Sequence, residues 1–189
     1  MIVRRALVIV ALMATCAWGV LTVRADHGPK KAAAGRPPLY EGLGAIDHKV
    51  TTASPLAQQY FNQGVRLIFA FNHDEAVRAF RAVESIDPDC AMAQWGIALA
   101  LGPNYNLAAD PERTALGYQA LAKAQKLAPR ATPKEQAYIA AIAKRYSADP
   151  KAERPPLDGA YATAMRDVAA KYPEDLDAAV FAAEGFMQL

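Results

Sequence analysis

Residues 57–88 read AQQYFNQGVRLIFAFNHDEAVRAFRAVESIDP, and this stretch decides the fold. Tyr60, Gly64 and Leu67 recur at steps of four and three, which returns them to one face of a helix. Ala76, Phe80 and Val83 do the same further on, so the pattern predicts a second helix. A tight turn is expected between them at Asn72-His73, and Pro88 ends the second helix. Two helices joined this closely pack antiparallel. A single hairpin of this kind cannot bury both apolar faces, so neighbours must stack on either side.

Those residues carry a resemblance. An aromatic, a Gly four residues on, then Ala-x3-aromatic and a closing Pro are filled here by Tyr60, Gly64, Ala76, Phe80 and Pro88, and the stretch resembles a tetratricopeptide repeat. Gly64 and Ala76 are small where two helices would cross, and Phe80 has the volume to fill the space beside them. Gln63 stands where the pattern has Leu and Leu67 where it has Tyr; the first puts a polar group near the inter-helix seam. Residues 43–189 also resemble a group of exported bacterial proteins built from such repeats. That resemblance implies an all-α superhelical solenoid and an exported location; it brings no established reaction, catalytic residue or cofactor.

Further units follow with less regularity. The next starts at Cys90-Ala91 and runs through AMAQWGIALALG, with Gly96 or Ala98 as its small residue. An insertion, GPNYNLAADP, precedes a helix expected over 112–127 that stops at Pro129. Thr132 and Glu135 form a capping box with Pro133 at the first helical position, which starts a third unit. A second insertion, SADPKAERPPL, precedes a helix over 158–172 closed by Pro173, and a last helix opens near Asp175. Leu176, Val180, Ala183 and Met187 share a stripe of that helix, with Phe181 and Phe186 nearby. Terminal repeats normally carry a polar outer face, so the repeat domain over 54–189 is expected to be incomplete at its end or to self-associate there.

At the start, Arg4 and Arg5 precede an apolar run over 6–23 and the sequence Val23-Arg24-Ala25. These are the parts of a secretory signal peptide over 1–25, which points to a periplasmic or secreted protein; an uncleaved membrane anchor is the alternative. The chain's net charge of +2 rests on that segment. Without it the chain loses Arg4, Arg5 and Arg24 and no acid, so its 21 basic residues fall to 18 against 19 acidic. Nucleic acid and anionic membrane surfaces are therefore poor partners, since both need a concentrated positive field. Residues 26–53 lack helical periodicity and read as a flexible leader.

No nucleophile, phosphate-binding or zinc-protease motif occurs in the sequence. Cys16 falls in the signal segment, which leaves Cys90 as a buried small apolar residue with no disulfide partner. His73 falls in the inter-helix turn, and Asp74 and Glu75 sit in the first turn of the second helix, where they complement its dipole. The GPNYN loop belongs at the same end of the stack, which would bring Asn104, Asn106 and Asp110 toward His73. An exported enzyme or metal-handling domain centred on His73 and Asn104 is the alternative reading. His73 and Cys90 flank one helix and stand about 20 Å apart, too far to share an ion. No catalytic residue, metal site or cofactor is assigned. The preferred expectation is a protein interaction module or scaffold. Phe61, Val65, Ile68, Phe69 and Trp95 would line an apolar concave groove for a peptide, a partner subunit or the chain's own 39–50 segment.

Overall fold

The computed structural model describes residues 35–149 and 151–189; the expected signal segment lies outside them. Among the described residues the fold is all-α. Its helices are α1 Pro55–Phe69, α2 His73–Ile86, α3 Ala91–Leu101, α4 Pro111–Leu127, α5 Pro133–Ala143, α6 Arg154–Lys171 and α7 Leu176–Phe186. Each packs on the next, and α1 also meets α3 as α3 meets α5.

Local chemistry sets the boundaries. Ser54, Asp110, Thr132 and Asp175 each accept a backbone N–H of the first turn of the helix they precede, satisfying a donor that has no partner inside the helix. Thr132 and Glu135 complete the reciprocal capping box. Helix α6 begins at Arg154, four residues before the expected Asp158, because Pro155 and Pro156 fall in its first turn, where a missing N–H costs nothing. The first turn of the hairpin also lies slightly earlier than expected: His73 is the first residue of α2. Asn72 N–H donates to Leu67 O and Phe71 N–H to Ile68 O, a Schellman closure. Its left-handed position, usually Gly, is held by Phe71 at φ 57°.

Phe80 locks the first three helices. A Cβ on Gly64 would lie 2.5 Å from its ring and one on Gly96 2.6 Å, so both glycines are needed for α1 and α3 to approach α2 this closely. Gly96, rather than Ala98, is thus the small residue at this contact. Helix α7 packs on α6, where Gly185 brings its backbone against Ala162. The opposite face of α7 leaves Leu176, Val180 and Met187 exposed.

The leader's described part carries no helix, yet it is bound along its length. Gln63 Nε2 donates to Pro38 O and Gln63 Oε1 accepts from Tyr40 N–H. Tyr60 Oη donates to Pro37 O, Arg66 to Gly44 O, and Gln58 to His48 O. Thr51 donates its N–H and hydroxyl to Glu135 on α5. The polar face of α1 is therefore a track for a strap. Gln63 is polar though only 2 % exposed, because it pairs with the strap's backbone.

Candidate functional site

The expected groove is not open. Phe61, Val65 and Trp95 are fully buried and Ile68 nearly so, while Phe69 is half-buried. Two side chains occupy the space they were expected to line. His48 of the strap sits against Phe61, Trp95 and Tyr138, with ring centroids 5.6, 6.3 and 5.5 Å away. Phe181 of α7 lies 5.3 Å from Phe69 and 5.5 Å from Trp95, centroid to centroid. The physical reason is closure. The strap and α7 converge on the stripe left by α1 and α3 and bury it, so Phe61, Val65 and Trp95 are core and not a partner surface.

What remains beside this core is a cavity of about 480 Å³. Ile68 and Phe69 from α1, Leu99 from α3, Val180 and Phe181 from α7, and Met187 just past it form its apolar walls. Phe71, Pro103 and Tyr105 line it from the two loops. Phe71 and Tyr105 meet edge to face with centroids 5.5 Å apart. The Asn104 and Leu107 backbones pair N–H to C=O in both directions at 3.0 Å, which projects Tyr105 from a closed turn.

The cavity's polar groups are few. His73 lines it and is neutral: Nδ1–H donates to Phe71 O at 3.2 Å, and Nε2 lies 3.4 Å from the Asn104 amide nitrogen, which donates to it. Burial lowers its pKa below the usual 6.5, outweighing the Phe71 carbonyl. The expected approach of the 103–106 loop to His73 is thus present for Asn104. Asn106 and Asp110 instead serve locally: the Asn106 N–H donates to Asn104 Oδ1, and Asp110 caps α4.

Arg145, just past α5, also lines the cavity. It is 1 % exposed, its guanidinium stacks 4.5 Å over the Tyr161 ring, and Nη2 stands 3.7 Å from Glu184 Oε1. That is beyond hydrogen-bond length, and neither Nε nor Nη2 has an acceptor among the described residues. Two neighbouring arginines are paired closely, Arg113 to Asp74 at 2.6 Å and Arg154 to Asp158 at 2.5 Å. Burial raises the Glu184 pKa against the opposing pull of Arg145.

A second polar cluster ties the strap to α7. His48 Nδ1 and Asp177 Oδ2 lie 2.6 Å apart, and Lys134 Nζ stands 2.8 Å from Asp175 Oδ2. His48, Asp175 and Asp177 offer donor atoms within 4.8 Å of one another, a spacing that a divalent ion could draw together. Each carboxylate already has a partner, however, Asp177 in the His48 ring and Asp175 in the Lys134 ammonium, so the cluster reads as a polar latch. Burial raises the Glu135 pKa, but hydrogen bonds from Thr51 and Thr132 outweigh it and hold the carboxyl below its usual value. The buried Cys90 thiol is pushed up to about 11, which keeps it protonated and unreactive at neutral pH.

Sequence reasoning placed Ile68 and Phe69 at a site and missed the groups facing them. Arg145 had a legible signal: it continues the Tyr138, Ile142 stripe at a three-residue step, so a cation there had to be buried. Phe181 and Val180 depend on how α7 docks, which no local pattern reveals. No known family pattern, curated protein or solved structure matches the chain.

Proposed function

We propose that this chain is a non-catalytic recognition module of tetratricopeptide-repeat type, exported to the bacterial envelope, that takes an apolar ligand group in the cavity between α1, α3 and α7. The observation that carries the reading is the cavity: about 480 Å³, walled by Ile68, Phe69, Leu99, Val180, Phe181 and Met187, with few polar groups. Its size falls in the roughly 300–1,000 Å³ range of ligand pockets, and such pockets combine apolar walls with a small number of placed polar groups. The repeat assignment is supported by the Gly64, Phe80, Gly96 contact and by α1 meeting α3 and α3 meeting α5. Export rests on the basic and apolar pattern of residues 1–25.

The test is titration with the neutral dye N-phenylnaphthylamine, whose fluorescence rises in apolar surroundings. Saturable binding at one site per chain is expected. Val180→Asp puts a charge on the cavity wall and should weaken it by about tenfold or more. Leu176→Asp changes an exposed apolar residue of the same helix that does not line the cavity, and should leave binding intact. Absence of saturable binding, or equal loss in both variants, removes the cavity as the site.

A further inference from the structure

We infer that the cavity is built for an apolar monocarboxylic acid, whose carboxylate pairs with Arg145 while its hydrocarbon part fills the space beside Phe69, Val180 and Met187. The inference rests on the cavity being a ligand site and adds the ligand's chemical class.

A guanidinium presents five N–H donors in a fixed fork that matches a carboxylate, and it stays charged at any ordinary pH. Arg145 is 1 % exposed, so its donors cannot all turn to bulk solvent, yet Nε and Nη2 have no acceptor among the described residues. An unmatched buried charge is costly, and the usual remedy is a close carboxylate. Arg113 and Arg154 have theirs. Arg145 has Glu184 at 3.7 Å only, and the Oε1 that faces it accepts instead from Gln188 at 2.5 Å.

The remaining groups set the ligand's form. His73, across the cavity, is kept neutral by burial, which outweighs the Phe71 carbonyl, and its Nε2 accepts from Asn104, so it adds no second positive charge. One cation against apolar walls selects one acid group on an apolar body. A dianion would leave its second charge among Ile68, Phe69 and Leu99 without a partner. Glu184 is the competing group: a ligand carboxylate at Arg145 must displace it or lie beside it.

The experiment displaces bound N-phenylnaphthylamine with octanoate and, separately, with octanamide, which has the same hydrocarbon body and no charge. Octanoate should bind about tenfold more tightly or better, the usual return on a charge-assisted pair. Arg145→Met, which keeps the side-chain volume, should abolish that preference while dye binding persists. Glu184→Gln removes the competing carboxylate at a partly exposed position and should tighten octanoate by at least about threefold. This second variant keeps the test valid where Arg145→Met fails to fold. A peptide ending in a free Leu carboxylate is run beside octanoate; tighter binding of the peptide makes the occupant a chain terminus and overturns the small-acid assignment. Equal binding of octanoate and octanamide by the parent chain overturns the carboxylate inference and leaves the apolar cavity standing. Failure of the dye itself to bind removes the cavity reading on which both depend.

Discussion

His48→Ala is expected to destabilise the chain by about 2.5–5 kcal/mol, and the two parts of that figure come from different contacts. The imidazole is 5 % exposed and packed among Phe61, Trp95 and Tyr138, and truncating a buried ring or large side chain costs about 2–4 kcal/mol in lost contact and cavity. The bond to Asp177 adds less, because that carboxylate side chain is 23 % exposed and water can replace the partner; about 0.5–1 kcal/mol is appropriate. For a chain of this size the total corresponds to a fall in Tm of roughly 5–20 °C. Asp177→Asn keeps the ring packing and weakens only the bond to His48, so it should cost about 1 kcal/mol or less. Urea unfolding followed by far-UV circular dichroism measures both, and limited proteolysis should show earlier cutting within residues 36–53 of His48→Ala. If His48→Ala unfolds within about 0.5 kcal/mol of the parent, the strap is not part of the core and the account of the filled groove is wrong.

Gly96→Ala should destabilise by about 1–2 kcal/mol even though Ala is the better helix former, because its Cβ would sit 2.6 Å from the Phe80 ring. In a Phe80→Leu background the same change should be nearly neutral, and the double-mutant cycle measures that coupling. The lowered His73 pKa fixes the sign of a pH effect. Its stabilising contribution is present above the unfolded value of 6.5 and is lost as pH falls from there through the folded value, since the unfolded chain binds the proton first. Melting curves should therefore converge for the parent and His73→Asn on acidification below that value, with the parent losing more. Glu135→Gln should weaken the bonds from Thr51 and Thr132, and the difference from the parent should vanish as acid protonates the carboxyl.

The helices were legible because their signals are local. The capping box at Thr132 and Glu135, the Pro stops and the Tyr60, Gly64, Phe80 spacing each involve residues within a few turns of one another. Side-chain volume carried the first packing step as well: Phe80 had to fill a space that glycines opened. The filling of the expected groove was not legible. Whether Phe61 and Trp95 face a partner or the interior depends on residues far away in the chain. His48 and Phe181 arrive from the strap and from α7, and their own neighbourhoods contain no sign of the destination. Gln63 was a half-read clue. A polar group at an apolar position predicts a buried hydrogen-bond partner, and that partner is the backbone of residues 38–40.

The cavity between α1, α3 and α7 as the ligand site is tested most directly by methyl-resolved NMR of the chain titrated with N-phenylnaphthylamine. The account predicts that the methyl signals of Ile68, Leu99, Val180 and Met187 shift together along one saturating isotherm, while Val77 on α2 and Val168 on α6 stay in place. Shifts confined to Leu176 and other exposed positions, with Ile68 and Leu99 unmoved, would contradict it.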